Sequence, residues 1–179
     1  MRRKFYARLA FPFLLAAAAC ESDGSPTNPS TVTQVAGTWN YNARLNTVAG
    51  GECVGSDFQV IVGATDTGSL TITQTGSSLT ATQTSDAGGG ASCMYSGTAG
   101  SGSFTLNLTR CDGGQVFRDF SCSNGARRDI EFATNPIEGA VSGNSITATS
   151  IETYNIYAAG TSTRVGTMTL NASMTATKR

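Results

Sequence analysis

Five cysteines and no histidine bound the chemistry open to this 179-residue chain. Thiolates bind zinc, exchange disulfides or cross-link the chain. Cys53, Cys93, Cys111 and Cys122 are spaced forty, eighteen and eleven residues apart, with no C-x-x-C pair. That spacing argues against a zinc knuckle and against a redox pair, and leaves two structural disulfides as the expectation. Of the three possible pairings, Cys53–Cys93 and Cys111–Cys122 are expected, the second closing the glycine-containing loop from Asp112 to Ser121. The lack of histidine removes the usual general base, the Ser-His-Asp and Cys-His nucleophile systems and every His-containing metal site. Asp119, Asp129 and Glu131 lie close in sequence, interleaved with Arg118, Arg127 and Arg128. Paired carboxylates can do acid–base work. With arginines between them, a solvated, salt-bridged strand face is the better expectation. Asp57, Asp66 and Asp86 sit in Gly/Ser-rich stretches without a calcium-loop pattern, so turn chemistry accounts for them. No catalytic residue, metal or cofactor is expected, and the chain is read as a non-enzyme.

The fifth cysteine has a different setting. Arg2, Arg3, Lys4 and Arg8 precede a short apolar run, and Ala17, Ala18 and Ala19 lead into Cys20. A basic head, an apolar span and small residues before the cut are the layout of a secretory signal over 1–19. The span is far shorter than the roughly 20 apolar residues a membrane helix needs. A cysteine at the cut resembles the lipobox of bacterial lipoproteins, with Ala17 where that family prefers Leu. The resemblance implies that Cys20 carries a diacylglycerol and becomes the mature N-terminus. The four downstream cysteines can pair with one another, which leaves Cys20 over. Residues 20–33, rich in Ser, Thr, Asn and Pro, read as the lipidated N-terminus and a flexible tether. The implied address is extracytoplasmic and membrane-anchored. Glu21 in place of an aspartate favours the outer membrane where a cell has one.

The elements that position these residues are strands. Charged residues make up 13% of the chain, against about 25% in an average soluble protein. Gly, Ser and Thr replace them and disfavour helix. The four basic residues of the signal leave with it, so eight of the 12 Lys and Arg remain against 12 Asp and Glu. A mildly acidic domain is not a nucleic-acid partner. From Val35 the chain alternates, with Trp39, Tyr41, Ala43 and Leu45 on one face. The same period recurs at Phe58/Val60/Val62, Leu70/Ile72, Leu79/Ala81, Phe104/Leu106/Leu108, Ile130/Phe132 and Met168 to Ala176. Gly76, Asn124-Gly125 and Gly143-Asn144 mark turns. No window beyond the signal shows a helical period. Nine to eleven short strands predict an all-β domain over 34–179. The expected form is an antiparallel up-and-down β-barrel, with a β-sandwich as the alternative.

Gly37-Thr38-Trp39 opens the first strand and Lys178-Arg179 closes the last. This resembles the calycin pattern of lipocalins, fatty-acid-binding proteins and avidins, and the chain looks like small lipocalin-like bacterial lipoproteins. The resemblance implies that Arg179, or Lys178, packs over Trp39 at the closed end. An eight-to-ten-strand barrel can hold a small apolar ligand. The inward candidates are Tyr41, Phe58, Phe104, Leu106, Phe132 and Met168. Small inward residues such as Ala43 and Ala172 leave space or fit the taper. The alternative role is a structural or protein-interaction module of the cell envelope with a filled core, its protein partner unknown.

Overall fold

The computed structural model describes residues 32–87, 92–112 and 116–179. The signal, Cys20 and nearly all of the tether lie outside the described residues. The tether's last two positions do not. Val32 packs against the apolar core, and the Thr33 amide donates to the Gly100 carbonyl. Val32 and Thr33 therefore belong to the folded domain, because they supply packing and hydrogen bonds to the barrel.

Ten strands follow: β1 (Gly37–Gly50), β2 (Thr65–Thr75), β3 (Ser78–Ser85), β4 (Ser92–Ala99), β5 (Ser103–Cys111), β6 (Val116–Ser121), β7 (Arg127–Thr134), β8 (Pro136–Ser142), β9 (Ser145–Ala158) and β10 (Arg164–Lys178). All pairings among them are antiparallel. Eight close a barrel in the order β1-β2-β3-β4-β5-β8-β9-β10, with β10 returning to β1. This is a lipocalin-like all-β architecture, and not a sandwich. The hairpin β6–β7 is the one departure from a plain meander. β9 pairs with β8 over Ser145–Ser150 and with β7 over Thr153–Ala158. The hairpin thus raises the wall beyond the end of β8.

Two strands carry the closure. β1 and β10 pair from Trp39↔Lys178 to Gly50↔Met168. Residues directly opposite in an antiparallel pair share a face, so Lys178 rather than Arg179 meets the indole. Its Nζ lies 5.4 Å from the Trp39 ring centre. The expected pairing of Trp39 with Arg179 is corrected accordingly; Arg179, one residue on, hydrogen-bonds Asn40 on the outer side. Gly37 makes the lysine's position possible. A Cβ there would sit 2.8 Å from Lys178 Cε, and φ is +134°, a region L side chains rarely adopt. The Gly-x-Trp spacing is therefore a slot for the lysine stem beside the ring it covers. The Trp39 Nε1 donates to the Val35 carbonyl at 3.0 Å, which satisfies the buried indole.

The alternation seen in β1 changes phase at Asn46. The register passes from Leu45↔Ala172 to Thr47↔Asn171, a bulge of one residue. Inward positions are odd before it (Trp39, Tyr41) and even after it (Val48). The segment after β1 is not the strand expected from Phe58, Val60 and Val62. It is a short helix, α1 (Glu52–Phe58), followed by a 3-10 turn, Gln59–Ile61. Val54 and Phe58, four residues apart, face one apolar cluster. Val60 is 85% exposed. Seven residues are too few to display a 3.6-residue period against a chance alternation.

The interior holds two apolar clusters. The larger fills the closed end around Trp39, Leu70, Phe104, Leu106 and Ile146. The second lies at the far end around Val54, Ile130, Ile156 and Met168. α1 and the β6–β7 hairpin cap this second cluster. Cys53 is bonded to Cys122, the Ser123 amide and hydroxyl donate to Asp57 at 2.8 and 2.6 Å, and Arg128 pairs with Glu52 at 2.6 Å.

The disulfides thus differ from the expected Cys53–Cys93 and Cys111–Cys122. Cys93 and Cys111 stand opposite each other on β4 and β5, with Cα atoms 4.0 Å apart. Cys122, at the β6–β7 turn, lies over α1. The two bonds span 69 and 18 residues. Loop-closure entropy gives about 4 kcal/mol for the longer loop and about 3 kcal/mol for the shorter. Peptide mapping without reductant is expected to recover these two pairs. In urea unfolding, Cys53→Ser/Cys122→Ser is expected to lose more stability than Cys93→Ser/Cys111→Ser; the reverse order would show that the cap folds independently of the barrel.

Candidate functional site

A cavity of about 250 Å³ separates the two apolar clusters. Its apolar wall comes from Ala43, Leu45, Ile137, Leu170, Ala172 and Met174. Its polar wall comes from Asp66, Gln83, Asn135, Ser150 and Glu152, with Thr65. β-strand parity explains the mixture. On β9 the inward positions run Ile146, Ala148, Ser150, Glu152, Tyr154 and Ile156, so polar residues occupy the middle of an otherwise apolar face. Asp66 precedes Leu70 and Ile72 on the inward parity of β2, and Gln83 and Ser85 continue the Leu79–Ala81 face of β3. Asp66 is therefore a barrel-interior strand residue, not the turn residue expected. Asp57, also expected in a turn, lies in α1.

Most of these groups are paired. Tyr41 Oη donates to Asp66 Oδ2 at 2.7 Å, and Ser85 Oγ donates to Asp66 Oδ1 at 2.5 Å. Gly68 stands opposite Tyr41, and a Cβ there would lie 2.9 Å from the Tyr41 ring, so the glycine lets the ring cross toward Asp66. Tyr95 Oη donates to Gln83 Oε1 at 2.8 Å, and Tyr154 Oη to Glu152 Oε2 at 2.9 Å. Asn135 Nδ2 points to Glu152 Oε1 at 3.4 Å. Asn135 is only 8% exposed, and its Oδ1 has no hydrogen-bond partner among the described residues. A buried orphan acceptor is uncommon and costs about 1–3 kcal/mol.

Asn135 owes its place to a switch of strand partners. β7 and β8 run along β9 in one register, from Thr134↔Thr153 to Ile137↔Ser150. Continued through the break, that register sets Asn135 opposite Glu152. On the other side β7 pairs with β6, and β8 with β5. Pro136, which has no amide hydrogen, sits where the partner changes.

Burial raises the Glu152 carboxyl above its ordinary range; the tyrosine hydroxyl opposes this and the nearby Asp66 charge adds to it. Burial pushes the Tyr41 hydroxyl up to about 12, with Asp66 adding to the shift. Burial likewise raises Tyr95 and Tyr154, each helped by the Glu152 charge.

The six aromatic and apolar ligand candidates fall elsewhere. Phe104 and Leu106 pack in the closed-end cluster, and Met168 in the far one. Phe58 stacks at a tilt on Phe120, 5.7 Å between ring centres, and Phe132 meets Tyr154 edge-on. Tyr41 reaches the cavity only through its bond to Asp66. The small inward residues Ala43 and Ala172 do line it. The polar layer was readable as Asp66, Gln83, Ser150 and Glu152 on inward parity.

The arginine–carboxylate face is paired as expected but not wholly solvated. Arg118 bridges Asp129 at 3.1 Å and Glu131 at 2.8 Å, and Arg127 pairs with Asp119. Asp129 is enclosed, because the Asp119 and Gly160 amides donate to it at 2.8 and 3.1 Å. Those amides first, and Arg118 after them, hold its carboxyl below the ordinary range. Among the described residues no three His, Cys, Asp or Glu side chains are grouped to hold a metal ion. No family model, curated protein or solved structure matches this chain.

The two carboxylates predict opposite pH responses. Glu152 keeps its proton longer in the folded state. The stability this brings is complete below the ordinary carboxylate range and is lost as pH rises through the folded value. Glu152→Gln is therefore expected to melt higher than the parent at about pH 7, with the gain vanishing near pH 4; each kcal/mol corresponds to about 2–4 °C in a domain of this size. Asp66, Tyr95 and Tyr154 face Glu152 and stay unchanged in the comparison. Asp129→Asn is expected to melt lower at neutral pH, with the deficit closing as acid protonates the parent. Melting curves across pH check both; parallel shifts at every pH would contradict them.

Proposed function

We propose that this chain is a lipid-anchored extracytoplasmic lipoprotein whose barrel holds a small ligand without catalysis. The observation that carries the ligand reading is the cavity between the two apolar clusters, with Asp66 and Glu152 on its wall and no cation to pair them among the described residues. A core that merely filled the barrel would close that space. This favours ligand binding over the filled-core envelope module. The expected ligand is small and partly apolar, since half of the named wall is aliphatic.

The anchor rests on Cys20. The four described cysteines bond to one another, so none is left to pair with it. Val32 and Thr33 join the barrel beside Gly100 and Gly102, at the closed end with Trp39. The absence of histidine supports a non-catalytic role, and Glu21 supports the outer membrane where one exists.

The full chain, purified in detergent, is to be denatured in organic solvent and the released small molecules analysed by mass spectrometry. A stoichiometric small molecule, absent from the cavity-filling variant Ala172→Phe, is the expected result. No such molecule, together with higher stability of Ala172→Phe, would favour the filled-core role. Cys20→Ser is expected to abolish labelling by a lipid precursor and release the protein from membranes; unchanged membrane retention would overturn the anchor.

A further inference from the structure

The cavity's charged groups are unbalanced in one direction. Asp66 and Glu152 are both acids, and among the described residues no lysine or arginine lines the space. Asp66 already takes two hydroxyl donors, one on each oxygen. Glu152 takes one short bond on Oε2, while Oε1 has only the 3.4 Å contact from Asn135. The unmet demand in this wall is for a positively charged donor, close to two carboxylates that lack a counter-charge.

We infer that the cavity takes a small organic amine, whose ammonium pairs with the Glu152 carboxylate while its hydrocarbon body lies against Ala43, Leu45, Ala172 and Met174. This deepens the ligand-binding reading and rests on it. An ammonium supplies three donors and one positive charge. It would complete the weakly bonded carboxylate oxygen and offset the like charges of Asp66 and Glu152. A neutral alcohol supplies one donor and no charge. A carboxylic acid brings a third negative charge into the same space and is disfavoured. Size sets a further limit. A cavity of about 150 Å³ takes benzene, so about 250 Å³ suits a ligand on the order of ten non-hydrogen atoms. Long fatty chains exceed it.

Support also comes from the ionisation of Glu152. Enclosed without a cation, its carboxyl holds its proton above the ordinary range. An ammonium beside it favours the charged form and turns a strained group into a binding one.

The test uses the full chain in detergent with three isosteric probes: phenethylamine, 2-phenylethanol and phenylacetate. Calorimetric titration is expected to show one site for the amine, at least tenfold tighter than for the alcohol, and no binding of the acid. Glu152→Gln is expected to weaken the amine at least tenfold while leaving the alcohol within twofold. Asp66→Asn gives the same comparison should Glu152→Gln fail to fold, as checked by thermal melting. Equal affinity for amine and alcohol, both abolished by Ala172→Phe, would overturn the amine assignment and leave the cavity reading intact. Tighter binding of the acid would do the same. No binding of any probe at millimolar concentration would count against both.

Discussion

Everything in this molecule depends on the pairing of β1 with β10. A twisted sheet left open would expose two edges and could not enclose an interior. Closure turns one face of every strand inward and makes parity the rule that decides each residue's surroundings. The pairing runs from Trp39 to Gly50 on β1 and from Met168 to Lys178 on β10. At one end Lys178, lying over Trp39 in the slot left by Gly37, adds a side-chain contact to the same seam. The cation on the ring is a consequence of two strands meeting in one register, and the missing Cβ of Gly37 leaves it room.

Much of this was legible in the sequence. Alternation in β1, β2, β3, β5, β7 and β10 announced strands, and glycine turns announced hairpins. The barrel followed from their number and spacing. The departures have local physical causes. Phe58, Val60 and Val62 mimic a strand, but the helix that contains Phe58 is too short to show its own period. The bulge at Asn46 carries no signature, since Asn suits an exposed strand position as well as a bulge. The disulfides depend on which strands become neighbours, and Cys93 and Cys111 meet only because β4 and β5 pair in that register. The lysine was preferred to the arginine by opposition across the sheet, which sequence order alone does not reveal.

The cavity lay within reach of the same parity argument. Glu152 sits on an inward face whose ends are Ile146 and Ile156. A charge on such a face is the informative observation, more than the aromatic residues around it. Large apolar side chains fill space and so mark the core, whereas the space left over is marked by small and polar ones. Asn135 was harder to find. Its burial comes from the strand switch beside Pro136, a feature of pairing and not of the residue type.

The polar belt divides the driving force for folding between two dry regions. β1, β9 and β10 thread both, but β3 and β4 contribute only to the closed end, and α1 only to the far end. Local opening need not be uniform in such a molecule. The far region is the smaller, its lid is a seven-residue helix, and a disulfide and side-chain ties hold it to the hairpin. The barrel is thus a rigid cup with a separately latched upper storey, and whatever occupies the belt touches both and acts as the mortar between them.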